Sequence, residues 1–342
     1  MSPNWYYMAR ASSGLINWMA ICLSCLSDVL PPQWRAAGFG MLLASFSLGI
    51  AFSPILAVFL NHFYVSVVSL CILVVAWLVL FFFFSETLPA SVAAEAKQRR
   101  ETETHGIVTR WGHILHTLGR PLRELSILNR NNFFRLLAAL AFFSGMVSQA
   151  DQTLLLYYLE ERLAFNEKDV AKMFVMMGVL GILVQGVLIK PFIACLGERF
   201  VIVFAFLLGS VHNVLYGIAS KKWVVFVAIS LASFVGMSFP TISAIKANNV
   251  LENEQGRIQG ALFSIQALAG GTGPMVLRFV YRCTKDSTFP GPGTMWLVAA
   301  VLYFVATCFA LLLPSEKANS KEARRDGYEE LGNDYDSNQE SL

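Results

Sequence analysis

Residues 40–54 read GMLLASFSLGIAFSP, a run with no charged side chain, small residues at Gly40, Gly49 and Ser53, and a proline at Pro54. The same plan returns in residues 260–274, GALFSIQALAGGTGP. At a constant offset of 220 residues Gly40 falls on Gly260, Gly49 on Ala269, Ser53 on Gly273 and Pro54 on Pro274. The lead-ins echo as well, Asp28-Val29-Leu30 beside Asn249-Val250-Leu251. Small residues let helices approach closely in a membrane, and a proline is tolerated there where neighbours satisfy the freed carbonyl. Two copies at one spacing predict a chain of two halves built on one plan.

The rest of the chain has the composition of a membrane protein. Apolar residues make up 56% and charged residues 14%, against about 25% charged in soluble domains. Residues 36–85 contain no Asp, Glu, Lys or Arg, enough for two spans of about 20 residues each. Backbone groups in lipid must bond within their own segment, so such spans are helices. Nine are expected, at about 5–27, 36–60, 64–84, 133–158, 170–190, 200–219, 223–245, 258–281 and 294–313. The expected fold class is therefore all-α and polytopic.

Three spans in residues 1–85 form an incomplete N-terminal bundle, and six in residues 133–314 form a C-terminal bundle. Residues 86–132 are a polar, basic linker. Trp111 to Leu118 reads either as an amphipathic helix on the membrane surface or as a solvated connector. Residues 315–342 have few aliphatic side chains and are expected to be a disordered tail. With the linker in the cytosol, the loops and tail on that side hold 17 Lys and Arg against eight on the other. The positive-inside rule then places the C-terminus in the cytosol. Spans four to six precede the second copy of the repeat and have no counterparts before the first. A complete twofold plan thus needs about 90 further residues and three further spans.

Several motifs carry a family resemblance. The spacing Gly-x8-Gly-x3-Gly-Pro resembles the fifth-helix antiporter motif of the major facilitator superfamily. Arg10 and Gly14 resemble its fourth-helix Arg-x-x-x-Gly, Leu196-Gly197-Glu198-Arg199 its loop between helices eight and nine, and Glu254 to Gly260 the Gln-Gly-x-x-Gln-Gly that opens helix eleven. Together they are similar to the tetracycline-resistance antiporters and the hippocampus-abundant-transcript-like transporters, over about residues 5–314. Some positions depart from the pattern: Ser53 stands where the family has Gly, Ala57-Val58 stand for Gly-Gly, and Ala194 occupies an acidic position. The charged loop between helices two and three has no counterpart, nor have helices one to three.

The resemblance implies a two-bundle fold and a secondary transporter of a small organic solute, working by alternating access with exchange against protons. No cofactor is expected. The expected partners are the solute, protons, the lipid bilayer and a partner chain supplying the missing helices. The alternative is a truncated, non-transporting membrane adaptor or regulatory isoform. Gly40, Gly49, Ser53, Pro54, Gly260, Gly273, Pro274 and Gly14 are the candidates for helix packing and gating, with Gly197, Glu198 and Arg199 in a cytosolic loop.

Ionisable residues at membrane depth are costly and so are functional candidates. Arg10 reads as a proton-coupling group, which the resemblance implies, or as a snorkelling residue. Asp28 reads as part of a charge network at a helix end. Asp151, between Gln149 and Gln152, lies roughly 27 Å along its span at about 1.5 Å per residue, lining a vestibule or wetting a helix end, and the two amides, three apart and so on one face, read as solute-facing candidates. His212-Asn213 is expected to serve helix–helix contact. No His, Cys, Asp and Glu grouping has metal spacing, and Ser, His and Asp fall in separate spans, so neither a metal site nor an enzyme is expected. The basic residues are scattered over loops rather than forming a nucleic-acid face.

Overall fold

A computed structural model describes residues 18–87, 125–250, 254–287 and 291–314, together with a few isolated positions. All its regular elements are helical. In chain order they are α1 (Trp18–Val29), α2 (Pro32–Phe59), α3 (His62–Phe83), α4 (Asn132–Leu163), α5 (Glu167–Leu196), α6 (Glu198–Ile218), α7 (Lys222–Asn248), α8 (Gln255–Thr284) and α9 (Thr294–Leu311). Eight are long and apolar enough to cross a membrane, and α1 is a shorter apolar helix. Trp111 to Leu118, Arg10, Gly14 and the segment 315–342 lie outside the described residues.

Local chemistry sets the helix ends. Asn61 caps α3 by accepting from the Tyr64 N–H, Asn131 caps α4 from Phe134 N–H, and Asn166 forms a reciprocal box with Asp169 at the start of α5. Each cap satisfies donors that the first turn leaves orphaned. Pro32 opens α2, where its missing N–H costs nothing. Gly197 alone separates α5 from α6, at φ 80°, a left-handed conformation that a side chain would strain.

Several helices run past the expected spans: α5 reaches from Glu167 to Leu196 and α4 on to Leu163. Apolar runs mark only the lipid-immersed part of a helix, and the backbone ladder continues into polar flanks. Two interruptions were not expected. Ile182–Leu188 is π-helical within α5, and α7 breaks into Lys222–Val235 and Ser238–Asn248. Pro240 lies just after that break and has no N–H to donate back across it.

Successive helices alternate in direction. One end of the molecule, here the linker face, carries the short 3-10 helix Leu125–Asn129, the start of α4, the end of α7 and the start of α8. The far face carries the other ends. The largest buried cluster runs from Ile127 to Leu313 and includes Leu137, Phe206, Trp296 and Tyr303, so α4–α9 own their core. A smaller cluster joins Leu23, Ala36 and Phe39 to Ala244 and Ala247, seating α1 and α2 on α7. The apolar window in Phe63–Phe83 buries none of its residues within the chain, an arrangement that lipid permits and water does not.

Candidate functional site

The N-terminal helices meet the six-helix bundle along a ladder of small residues. On α2 these are Gly40, Ala44, Ser47 and Ala51; on α5 they face Ile189, Gly186, Gly181 and Gly178 in reverse order. A Cβ added at Gly40 would lie 2.5 Å from the Gln185 carbonyl oxygen and 3.0 Å from Ile189 Cγ2. Added at Gly181 it would strike the Ser47 hydroxyl, and at Gly178 the backbone of Ala51. The contact is close enough that packing, rather than hydrogen bonding, holds it. The π-helical segment lies in this crossing, and the buried Gln185 Oε1 has no hydrogen-bond partner.

At the linker face the contact becomes polar. Arg35 of α2 donates from Nη1 to the Ala247 carbonyl (2.9 Å) and to Asn248 Oδ1 (3.0 Å), from Nη2 to the Ser27 carbonyl (2.9 Å) and from Nε to the Leu30 carbonyl (3.2 Å). One guanidinium thus ties α1, α2 and α7 together. Beside it, Lys190 of α5 stands over the Trp34 ring, 3.2 Å from the centroid. Behind the clasp, Gln255 donates to the Ala247 carbonyl (2.8 Å) and Gln259 to the Ser243 carbonyl (3.3 Å). Glu254, 4% exposed, accepts two bonds from Arg130 (3.0 and 2.5 Å) with Arg257 3.6 Å away.

Lys246 counted as a loop cation in the sequence. Instead it lies inside α7, 0% exposed, and among the described residues reaches only Gln259 Oε1, at 3.4 Å. Helix α7 continues to Asn248, and Lys246 shares a face with the buried Ile242 and Ser243, four and three residues back.

A second polar group lies nearer the far face, between α4, α6 and α9. Asp151 Oδ2 is 3.6 Å from His212 Nε2. His212 is 1% exposed and Asn213 0%. The Asn213 amide nitrogen is 2.9 Å from His212 Nε2 and donates to the Gly209 carbonyl at 2.9 Å. Tyr216 and Tyr303 enclose the imidazole, with ring centroids 5.3 and 5.9 Å away. Among the described residues the buried Asp151 Oδ1 and Asn213 Oδ1 have no hydrogen-bond partner. Helix α4 extends twelve residues beyond Asp151, so this carboxylate is not at a helix end. Among the described residues no group of His, Cys, Asp and Glu is placed to hold a metal ion.

Residues 1–274 match the family described as the Major Facilitator Superfamily. The chain belongs to the major facilitator superfamily. It is 21% identical over 332 residues to hippocampus abundant transcript-like protein 1 of Bos taurus, covering 92% of this chain and 64% of that protein. It is 28% identical over 306 residues to the class E tetracycline resistance protein of Escherichia coli, covering 88% of this chain and 70% of that one. The crystal structure of the human organic anion transporter MFSD10 (TETRAN) superposes with a TM-score of 0.70 at 22% identity, over 85% of this chain and 67% of that one. The chain thus spans under two thirds of the cattle relative and has the fold of a superfamily transporter.

The superfamily motifs divide in their contacts. In the second copy, Ala269 packs on Gly145 and Gly273 on the Met146 backbone, both of α4. In the first copy, a Cβ at the equivalent Gly49 would have nothing within 4 Å, and Ser53 is exposed. Gly40 packs on α5, whereas its equivalent Gly260 faces open space. The repeat therefore is one of sequence and not of contact: the helix that α8 leans on is present, and no described helix takes that place beside α2. Pro54 and Pro274 both lie inside their helices.

Asp28 accepts a 3.4 Å bond from the Thr87 hydroxyl, linking the end of α1 to the segment that follows α3. Glu198 stands in the first turn of α6, and Arg199 donates to the Leu311 carbonyl at the end of α9. Gln149 packs over Gly270 of α8, while Gln152 is exposed. The two amides, three apart, do not share an environment. Arg35, Trp34, Lys190 and Lys246 were not singled out in the sequence. Arg35 sits in a short polar break, where an ordinary loop cation looks the same.

Proposed function

We propose that the chain acts as a secondary active transporter of a small organic solute, exchanging it against protons by alternating access. The observation that carries this reading is the Arg35 clasp. It closes the linker face with hydrogen bonds to carbonyls of α1 and α7, while the α2–α5 ladder offers a smooth, closely packed track. Breaking the clasp opens that face, and the track allows the two groups of helices to rock without parting. On this reading the linker face is cytosolic, as the Lys and Arg distribution favours. Arg10, Asp28, Gln149, Asp151 and Gln152 remain the candidate solute and proton ligands; the expected cytosolic loop narrows to a turn at Gly197, with Glu198 and Arg199 already in the first turn of α6.

The test is flux in liposomes holding only this chain, with and without a pH gradient. The panel includes tetracycline and organic anions, because relatives are named for them. Saturable uptake that rises with the gradient is expected. Correct insertion without flux for any solute overturns the claim that the chain transports alone.

The open edge of α2 favours a second reading, in which another helical chain completes the bundle. Among the described residues nothing lies within 4 Å of a Cβ at Gly49, Leu48 and Phe52 are exposed, and the apolar window of α3 is unburied. Flux that appears only when a companion polypeptide is reconstituted supports it.

A further inference from the structure

We infer that Asp151 and His212 hold a single proton between them, kept while water is held off the buried imidazole and the inner oxygen of the partly exposed Asp151 (side chain 22% exposed) and given to water when the pair is fully wetted. For its role in transport this rests on the proton-exchange reading above; the proton binding itself stands separately. His212 Nδ1 lies 3.2 Å from the Leu208 carbonyl, which only accepts, so Nδ1 carries a hydrogen. The titrating nitrogen is therefore Nε2, the one facing Asp151 Oδ2 at 3.6 Å. The pair joins two helices, α4 and α6. It lies about 9 Å from the end of α6 at about 1.5 Å per residue, within the apolar layer.

Charge bookkeeping makes one proton the buried state. With one proton the pair is neutral overall, as carboxylate and imidazolium or as acid and imidazole. Removing it leaves a carboxylate whose Oδ1 already lacks a donor; adding a second leaves an uncompensated imidazolium. Either net charge is costly away from water. Access of water to the site lowers that cost, and the proton then passes to water, leaving carboxylate and neutral imidazole. In the deprotonated state the Asn213 amide nitrogen, which also donates to the Gly209 carbonyl, donates to the neutral Nε2.

Among the described residues the surroundings supply no competing charge. From α6 and α9, the Tyr216 and Tyr303 phenols are within electrostatic reach of Asp151. On α4, Tyr158 lies farther on and donates to the Tyr216 carbonyl at 3.4 Å. Toward the far face, Glu161 of α4 is bonded by Tyr281 of α8 (2.6 Å). On α7, Lys222 is paired with Asp169 (2.6 Å), and Lys246 lies at the opposite end.

The experiment is a pH titration of the full chain, labelled with 15N-histidine, in phosphatidylcholine nanodiscs. The five histidines are distinguished by loss of one signal in His212→Gln. Expected in the wild type are an Nδ1 that stays protonated and an Nε2 signal that follows pH in one transition. Asp151→Asn should abolish or displace that transition and leave the other four histidines unchanged. A His212 signal that is independent of pH, or identical in Asp151→Asn, overturns the inference. If Asp151→Asn does not fold, the wild-type titration is read beside the carboxyl stretch of 13C-aspartate. The aspartate band must then shift at the midpoint of the His212 signal, because the carboxylate loses its protonated partner there, and a further step at lower pH is the addition of a second proton; an aspartate band indifferent to the His212 transition overturns the inference. A shared transition without flux leaves the proton pair standing and removes the transport reading; gradient-driven flux without the transition does the reverse.

Discussion

The Arg35 guanidinium lies 2.9 Å from the carbonyl oxygen of Ala247, and this bond joins the N-terminal helices to the end of α7. Arg35→Ala removes that bond and three others from one charged donor. A hydrogen bond to a charged group contributes about 1.5–3 kcal/mol, but Arg35 is only half-buried. A loss of about 2 kcal/mol is expected in thermal unfolding of the purified protein. Arg35→Lys should recover little, because an ammonium lacks the planar fork that reaches several carbonyls at once. A melt of Arg35→Ala indistinguishable from wild type would remove the clasp from the account.

Equivalent glycines of the repeat should respond in opposite ways. Gly40→Ala forces a methyl group against the Gln185 carbonyl and should cost about 1–3 kcal/mol. Gly260→Ala meets nothing within 4 Å and gains helix propensity of up to about 1 kcal/mol. Melting both variants side by side checks the α2–α5 crossing. Equal effects would refute the asymmetry of contact.

Lys246→Met should leave stability unchanged or raise it by about 1–2 kcal/mol. The ammonium is fully buried with one long amide contact, and an apolar side chain of similar length avoids its desolvation. Chemical denaturation measures this. A marked loss of stability would mean that Lys246 holds a partner essential to the fold.

Glu254 and Arg130 should prove coupled. Arg130→Ala strands a carboxylate that is 4% exposed, relieved only by Arg257 at 3.6 Å. The Arg130 side chain is itself 43% exposed, so solvent weakens the pair, and a coupling energy of about 1 kcal/mol is expected. A double-mutant cycle with Glu254→Gln reads it directly. Additive losses would show that the two side chains act independently.

Much of the architecture is written locally. Charge-free runs longer than a bilayer is thick require helices, because lipid leaves the backbone no other partners. Asn61, Asn131 and Asn166 mark helix starts that any reader of caps can find. Gly197 marks a turn that only a left-handed residue makes in one step. These features depend on neighbours in the chain, and so the succession of spans and the family motifs were legible from residues alone.

Contacts between distant segments were not. The offset of 220 residues pairs Gly49 with Ala269, yet Ala269 is buried against Gly145 and Gly49 meets none of the described residues. Spacing records that a helix has a small-residue face, while only the tertiary structure decides whether another helix lies on it. Lys246 looked like a loop cation because hydropathy averages over a window and cannot see that α7 extends past it. Asp151 and His212, on separate helices, come within 3.6 Å because the packing of α4 against α6 and α9 turns both inward. No periodicity along either helix encodes that encounter, since it depends on the rotation of one helix about its axis relative to the other.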